Sequence, residues 1–326
     1  MKDFLKEKII ADDIYQKVTE IRVDNPESVV DIAQNRKCRK KVAPRGNLNI
    51  VAADHPARGS VSVGDDPFAM GDRHDLLARL VYVLQSDWMD GVLGSMDLLE
   101  ELLVLHELMK ENGRGFLDDK VMIASLNRGG HPGSVWELHD PITGPNAATC
   151  RQMKLDGAKM LLRMKADSKD SLKTLMECVR GVSDMGSQKI PIFLEPLPVQ
   201  EDGRSYSVIK DADLLTELVS VTSALGNTSR YTWLKLPFTN NFKKVVKATT
   251  LPIVILGGGK SSDIKEVLTD LDAALNSGQQ VRGAMFGRNL LFPDSVDSRE
   301  LSDAIGQLVH QEKDLEEVLN ELGIDE

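Results

Sequence analysis

The segment Tyr231-Thr232-Trp233-Leu234-Lys235-Leu236-Pro237-Phe238 sets one lysine inside a short apolar run with aromatic flanks. Such a run reads as a buried strand. Pro237 cannot donate to a sheet ladder, so the strand stops there and Lys235 stands near its C-terminal end. Burial disfavours a charged ammonium. Two readings follow. Either the stem lies along the strand edge and the amine reaches water, or the amine is a nucleophile poised to form a Schiff base.

Working outward, a helical pattern over Ala212–Leu225 precedes this strand and a second apolar run, Pro252–Leu256, follows it. The same alternation extends over most of the chain. Strand-like runs fall at Asn49–Ala53, Gly91–Met96, Lys120–Leu126, Lys159–Met164, Pro191–Pro196, Tyr231–Leu236, Pro252–Leu256 and Arg282–Phe286. Helical patterns such as Leu98–Lys110, Ser171–Met185, Ile264–Leu275 and Ser298–His310 lie between them. Strands alternating with helices imply right-handed parallel crossovers. Eight repeats point to an α/β fold of one closed (β/α)8 barrel over residues 48–310. An open doubly wound sheet would want an early GxGxxG turn, and none opens a helix there.

Residues 1–47 read as an N-terminal helical extension, with Leu5, Ile9, Ile10, Ile14 and Val18 at helical spacing and a second helix from Pro26 to about Arg39. Its basic cluster, Arg36 to Lys41, reads as a solvated helix end. Residues 311–326 form a C-terminal helix. Two long connections, Asn127–Ala147 and Val199–Asp211, follow strands and so belong on the catalytic face.

Composition narrows the function. The chain of 326 residues is 41% hydrophobic and carries a formal net charge of −10. That charge disfavours a nucleic-acid partner. No apolar run approaches the roughly 18 residues of a spanning helix, so no membrane partner is expected. The three cysteines, Cys38, Cys150 and Cys178, show no disulfide or zinc spacing. A reduced, cytoplasmic protein is expected, acting on a small molecule and assembling as a homo-oligomer.

Candidate site residues gather where a barrel places them, at the C-terminal ends of strands. Strand one ends at Asp54 and leads to Arg58. Strand four carries Lys159, strand five Glu195 and strand six Lys235. Strand seven runs into Gly257-Gly258-Gly259-Lys260, and strand eight into Gly287-Arg288. The glycines, with Ser261 and Ser262 as N-cap candidates, suit an anion, and Arg288 can clamp a phosphate bidentately. A nucleotide P-loop is excluded, because Val254 stands where its first glycine belongs. Lys159 and Lys235 share the barrel mouth, and their repulsion favours a neutral amine on one of them. Asp54 and Glu195 supply carboxylates for orientation and proton transfer. Two alternatives stay open: structural ion pairs Lys159–Glu195 and Lys235–Asp54, or a divalent ion on Asp54, His55, His131 and Glu195. The histidines lack HxxxH-type spacing and read as solvated loop residues, so neither metal nor cofactor is expected.

These motifs resemble class I, Schiff-base-forming aldolases of the (β/α)8 superfamily. The chain is similar to tagatose bisphosphate aldolase and to archaeal-type class I fructose bisphosphate aldolases over about Asn49 to Val296. The resembling segments are ADHPARGS, GAKMLLRMKAD, IFLEPLP, WLKLPF and VRGAMFGRNLL. The resemblance implies that Lys235 is the Schiff-base lysine, that Lys159, Glu195 and Asp54 are catalytic, and that Arg58, Gly287 and Arg288 bind substrate. It departs from the pattern by two extra residues before Arg58 and by an insertion, RGGHPGSVWELHDPITG, after strand three. The chain also resembles an aldolase-like subgroup of bacterial inositol catabolism. That would make 2-deoxy-5-keto-gluconate 6-phosphate a substrate, with Arg128 facing its carboxylate. The expected reaction is cleavage of a phosphorylated ketose, releasing dihydroxyacetone phosphate without a cofactor. The alternatives are a sugar-phosphate isomerase or epimerase using Asp54 and Glu195, and a non-catalytic sugar-phosphate sensor.

Overall fold

The computed structural model describes residues 4–259 and 263–324. Its strands are β1 (Leu48–Ala52), β2 (Gly91–Gly94), β3 (Val121–Ser125), β4 (Gly157–Met164), β5 (Ile192–Asp202), β6 (Ser205–Val208), β7 (Thr232–Pro237), β8 (Ile253–Leu256) and β9 (Val281–Phe286). Eight of them pair in parallel in the ring β1, β2, β3, β4, β5, β7, β8, β9, and β9 returns to β1. The expected closed (β/α)8 barrel is therefore formed, and Lys235 lies on its sixth barrel strand, β7.

Alternation along each strand sorts side chains between two cores. Leu48, Ile50, Leu93, Val121, Ile123, Phe193, Val254 and Met285 fill the barrel interior, with Trp233 packed against them. Val51, Val92, Met122, Met160, Leu194, Leu234, Leu236 and Ile255 face the surrounding helices. Since Leu234 and Leu236 point outward and Trp233 inward, Lys235 shares the inward parity of Trp233. By the same rule Lys159 and Arg163 on β4, and Glu195 on β5, point inward.

The connection expected over Val199–Asp211 is not a loop. β5 runs on past the barrel rim and turns back as β6, pairing antiparallel from Val199↔Val208 to Asp202↔Ser205. The two-residue turn needs a left-handed first position, which Gly203 supplies at φ 62°. This hairpin stands over the barrel mouth.

The N-terminal extension also departs from expectation. Its helices are Lys6–Ile9, Asp12–Asp24 and Ser28–Asn35, so the last ends before the basic cluster. Arg36 is buried, donating to Lys120 O at 2.7 Å, Lys154 O at 2.9 Å and Asp156 Oδ2 at 2.9 Å. Arg39 pairs with Asp90 at 2.8 Å. These arginines are not a solvated helix end; they clamp the extension to the N-terminal floor of the barrel. The helix Arg73–Leu84, not distinguished in the sequence, is buried on nearly every side. The helix Ile264–Leu275 is capped by Asp263, which accepts from Glu266 N at 3.1 Å; Lys260, Ser261 and Ser262 lie outside the described residues. The C-terminal helix, Leu315–Glu321, begins in a capping box on Asp314 and packs against the helices Ser298–Val309 and Ile264–Leu275. No helix among the described residues is long and apolar enough to cross a membrane.

Candidate active site

Register brings the charged groups together. Leu194 pairs with Leu234, so Glu195 and Lys235 come one step higher, at the same level of the barrel. Lys159 pairs with Phe193, one layer below Glu195, and its side chain climbs through the interior to reach the carboxylate. Lys159 Nζ lies 2.5 Å from Glu195 Oε2, and Lys235 Nζ lies 3.1 Å from Glu195 Oε1. Asp54, two residues beyond β1, accepts from Lys159 Nζ at 3.2 Å and from Ser125 Oγ at 3.0 Å. Arg128 Nη1 approaches the same Asp54 oxygen at 3.3 Å. Lys159, Lys235, Asp54, Glu195 and Arg128 are all at least nine-tenths buried. The alternative pair Lys235–Asp54 is not made; Glu195 holds both lysines instead.

The surrounding cations keep the two carboxylates of this cluster ionised in a place that would otherwise neutralise them. Burial would raise the Glu195 carboxyl, but Lys159 and Lys235 outweigh it and bring it down to about 2. Burial works against Asp54 as well, and Arg128, Lys159 and Lys235 hold it well below the usual carboxylate range. The amine of Lys159 is pushed down by burial, with Lys235 adding to that push. Like-charge repulsion is thus legible on Lys159, the deeper lysine.

The cluster opens into a cavity of about 320 Å³ at the C-terminal mouth. Seven cationic side chains (Arg58, Arg128, Lys159, Arg163, Lys210, Lys235 and Arg288) and three anionic ones (Asp54, Glu137 and Glu195) line it among the described residues. A chain of net charge −10 therefore concentrates positive charge at one place. Gly258, Gly259 and Arg288 form one side. A Cβ at Gly258 or Gly259 would meet nothing within 4 Å among the described residues, so these two present open backbone to the cavity, and Gly258 adopts φ 65°. Asn289 joins the loops after β8 and β9 by donating to Gly257 O at 2.8 Å and Gly259 O at 3.0 Å. Gly257 itself supports rather than lines the cavity, its α-carbon lying against the Phe286 ring. Gly287 is sterically required, since a Cβ there would stand 2.7 Å from both Ala52 O and His55 Cε1.

His55 is not a solvated loop residue. Its Nδ1 is buried without a partner among the described residues, and burial drives the ring's pKa down to about 3, so the imidazole is neutral at ordinary pH. His131 is exposed and lies against Gly59. The oxygens of Asp54 and Glu195 are already held by arginine and lysine, and no group of three His, Cys, Asp or Glu among the described residues is arranged to hold a metal ion.

Glu137 and Arg163 of this mouth went unnoticed in the sequence. Glu137, in the long loop after β3, is buried and accepts from Arg163 Nη1 at 2.6 Å, Gly133 N at 2.6 Å and Ser205 Oγ at 2.9 Å. Arg163 also donates to Gly130 O at 3.0 Å and to Glu137 O. The loop after β3 and the β5–β6 hairpin are thereby locked together over the mouth. Nothing near Glu137 announces this, because its side-chain partners, Arg163 and Ser205, lie far off in the chain.

The parallel eight-stranded barrel places the protein in a broad structural class defined by its fold. Solved members of that class include an archaeal fructose 1,6-bisphosphate aldolase, 18% identical, with a TM-score of 0.61 over 87% of this chain and 99% of that one. Another archaeal fructose-1,6-bisphosphate aldolase, with its catalytic lysine covalently bound to the carbinolamine intermediate of its substrate, is likewise 18% identical, with a TM-score of 0.59 over 86% of this chain and 99% of that one. At this identity the likeness is one of fold. Within that class, the chain belongs to the Cgl0159-like family, whose model matches residues 46–306. Cgl0159 from Corynebacterium glutamicum is 33% identical over 94% of this chain and 99% of its own, with a TM-score of 0.87. A 107-residue stretch is also 30% identical to 2-amino-3,7-dideoxy-D-threo-hept-6-ulosonate synthase 1 of Archaeoglobus fulgidus; it spans 33% of this chain and 39% of that synthase.

Proposed function

We propose that the protein is a class I aldolase that cleaves a phosphorylated ketose or keto-sugar acid through a Schiff base on Lys235. The observation that carries this reading is Glu195, which bridges Lys235 at 3.1 Å and Lys159 at 2.5 Å inside a buried, cation-rich cavity. A proton relayed from Lys235 through Glu195 to the Lys159 amine, which burial pushes down, leaves a neutral Lys235 amine beside the carboxylate. The amine attacks the substrate ketone. The proton returns through Glu195 to the departing hydroxyl, water leaves, and an iminium forms. The carboxylate, steadied by Lys159, then takes the proton from the hydroxyl on the far carbon of the bond to be broken.

That carbon–carbon bond breaks with its electrons flowing into the iminium, giving an enamine and a free aldehyde. Protonation of the enamine carbon and hydrolysis by water release the three-carbon ketose phosphate, dihydroxyacetone phosphate, and restore Lys235. Gly258, Gly259, Gly287 and Arg288 would seat the phosphate and so fix the carbonyl next to the amine. Asp54, held between Lys159 and Arg128, would orient substrate hydroxyls. The reaction needs no redox partner, because electrons stay on the substrate carbons throughout.

Incubation with dihydroxyacetone phosphate and borohydride should add an irreversible mass to the peptide containing Lys235. Turnover without any such adduct would eliminate the Schiff-base route.

A further inference from the structure

The phosphate seat of the proposed mechanism hangs on a very short element. Arg288 opens the helix Arg288–Leu291, four residues long, directly after β9. So short a helix cannot hold itself, since most of its backbone end groups find no partner within it. Its position is therefore set from outside. Asn289 ties it to Gly257 O and Gly259 O on the neighbouring loop. A second tie comes from Arg79, which does not line the mouth.

Arg79 belongs to the helix Arg73–Leu84 and is buried, with 8% of its surface exposed. Its Nη1 donates at 3.0 Å to Leu291 O, the carbonyl that ends the short helix. Its Nε donates at 2.6 Å to Asp75 Oδ2, one turn back on its own helix. The guanidinium carbon lies 4.4 Å from the centroid of the Phe292 ring and 4.4 Å from that of Phe4. Both faces and two edges of the cation are thus engaged. A planar guanidinium suits such a stack, and an ammonium matches it less well. Packing alone calls for no charge here, because an apolar side chain fills a buried slot at least as well. What the charge adds is a donor on the backbone of the element that carries Arg288.

Phe4 comes from the N-terminal arm, ahead of the barrel, and meets Tyr82 edge-on with ring centroids 6.0 Å apart. Lys6 pins the arm beside it to Asp72 at 2.6 Å. Cavities of about 1100 and 520 Å³, each lined by Phe4 and Arg79, open on this stretch. The Phe4 ring is therefore not wedged into a tight core, and truncating it leaves the barrel packing in place.

Building on the aldolase reading, we infer that Arg79 is a positioning residue for the phosphate seat and that the N-terminal arm completes its hold. Through Leu291 O and the Phe292 ring, Arg79 fixes the helix on which Arg288 stands. Phe4 closes the other face of its guanidinium. The arm thus serves substrate binding without touching the substrate.

The test compares borohydride trapping on Lys235 of dihydroxyacetone phosphate and of unphosphorylated dihydroxyacetone, each at a fixed subsaturating concentration. Wild type should trap the phosphorylated ketone far faster. That preference should fall on the order of tenfold in Arg79→Met and by less in Phe4→Ala. Arg79→Lys should lie between wild type and Arg79→Met. Trapping of dihydroxyacetone should stay within about twofold of wild type in all three, because a misplaced phosphate seat costs only the ketone that uses it. An unchanged preference in both Arg79→Met and Phe4→Ala overturns the inference. So does an equal loss with both ketones, which would make Arg79 a support of the fold alone. Should Arg79→Met fail to fold, Phe4→Ala decides. A wild type that traps both ketones equally removes the phosphate seat, and this inference with it, but leaves the Schiff base standing. A wild type that traps neither removes the aldolase reading itself.

Discussion

Both ends of the barrel carry buried charge and put it to different use. At the floor, Asp90 accepts from Asn49 N at 2.8 Å, meets His310 Nε2 at 2.8 Å and pairs with Arg39 at 2.8 Å. Lys120 there donates to Ser86 O at 2.7 Å and Met89 O at 2.6 Å. Arg36 makes three hydrogen bonds and keeps only Nε free. At the mouth, the Arg58 side chain makes none among the described residues, and Nε of Arg58, Arg128 and Arg288 and Nδ1 of His55 are all buried without partners among them. Both ends depress pKa values: burial takes Lys120 down to about 8 just as it lowers Lys159. Burial and perturbed titration alone therefore do not separate a staple from a site. Unspent hydrogen-bonding capacity facing a cavity does.

The largest test of this contrast removes one charge from each end. Lys235→Met should lose activity by on the order of 10⁴-fold or more while leaving the urea midpoint within reach of wild type, since methionine suits a buried inward position. A variant that still turned over substrate at a wild-type rate would return the mouth to the status of a second staple and favour the isomerase alternative. Asp90→Ala should do the reverse. It strands Arg39 and His310 in a buried place, at a cost of about 3–5 kcal/mol in unfolding free energy. Its kcat per folded molecule should match wild type. A large fall in kcat at an unchanged urea midpoint would break the division of labour between the ends.

How far the chain could be read in advance follows the same line between local and distant causes. The barrel was legible because buried parallel strands are apolar on both faces and stand out as runs. Lys159, Glu195 and Lys235 were legible because each sits at a strand end, where periodicity fixes its address. The helix Arg73–Leu84 escaped because it is apolar nearly all round and shows no contrast at a period of 3.6 residues. The β5–β6 hairpin had a signal that passed unread: Gly203 at the first turn position, with Val199 on one side and Tyr206 and Val208 on the other. Arg36 and Arg39 looked like a solvated helix end because their partners, Asp156 and Asp90, lie in other strand–loop units. Glu137 and His55 are the same case at the mouth. A side chain whose role is set by residues scores of positions away leaves no mark in its own neighbourhood.

Acidification offers the finest test, because the two ends titrate through different groups. His55 has its folded pKa lowered from 6.5 to about 3 by burial, so below pH 6.5 the unfolded chain takes up a proton that the folded protein refuses. Stability then falls as pH falls, by up to about 1.4 kcal/mol per pH unit for that one proton. Glu195, lowered from 4.5 to about 2, acts in the same direction lower down: its contribution is complete above pH 4.5 and is lost as pH falls toward 2. Between pH 6.5 and 4.5 the mouth therefore titrates through His55 rather than through its carboxylates. His106, also lowered by burial, adds a slope of its own in both wild type and variant. Urea midpoints of wild type and His55→Asn, measured at pH 6.5, 5.5 and 4.5, should draw together or cross as the pH falls. Parallel curves would mean that His55 accepts its proton in the folded protein, and that the ring beside Gly287 is wetter than its burial allows.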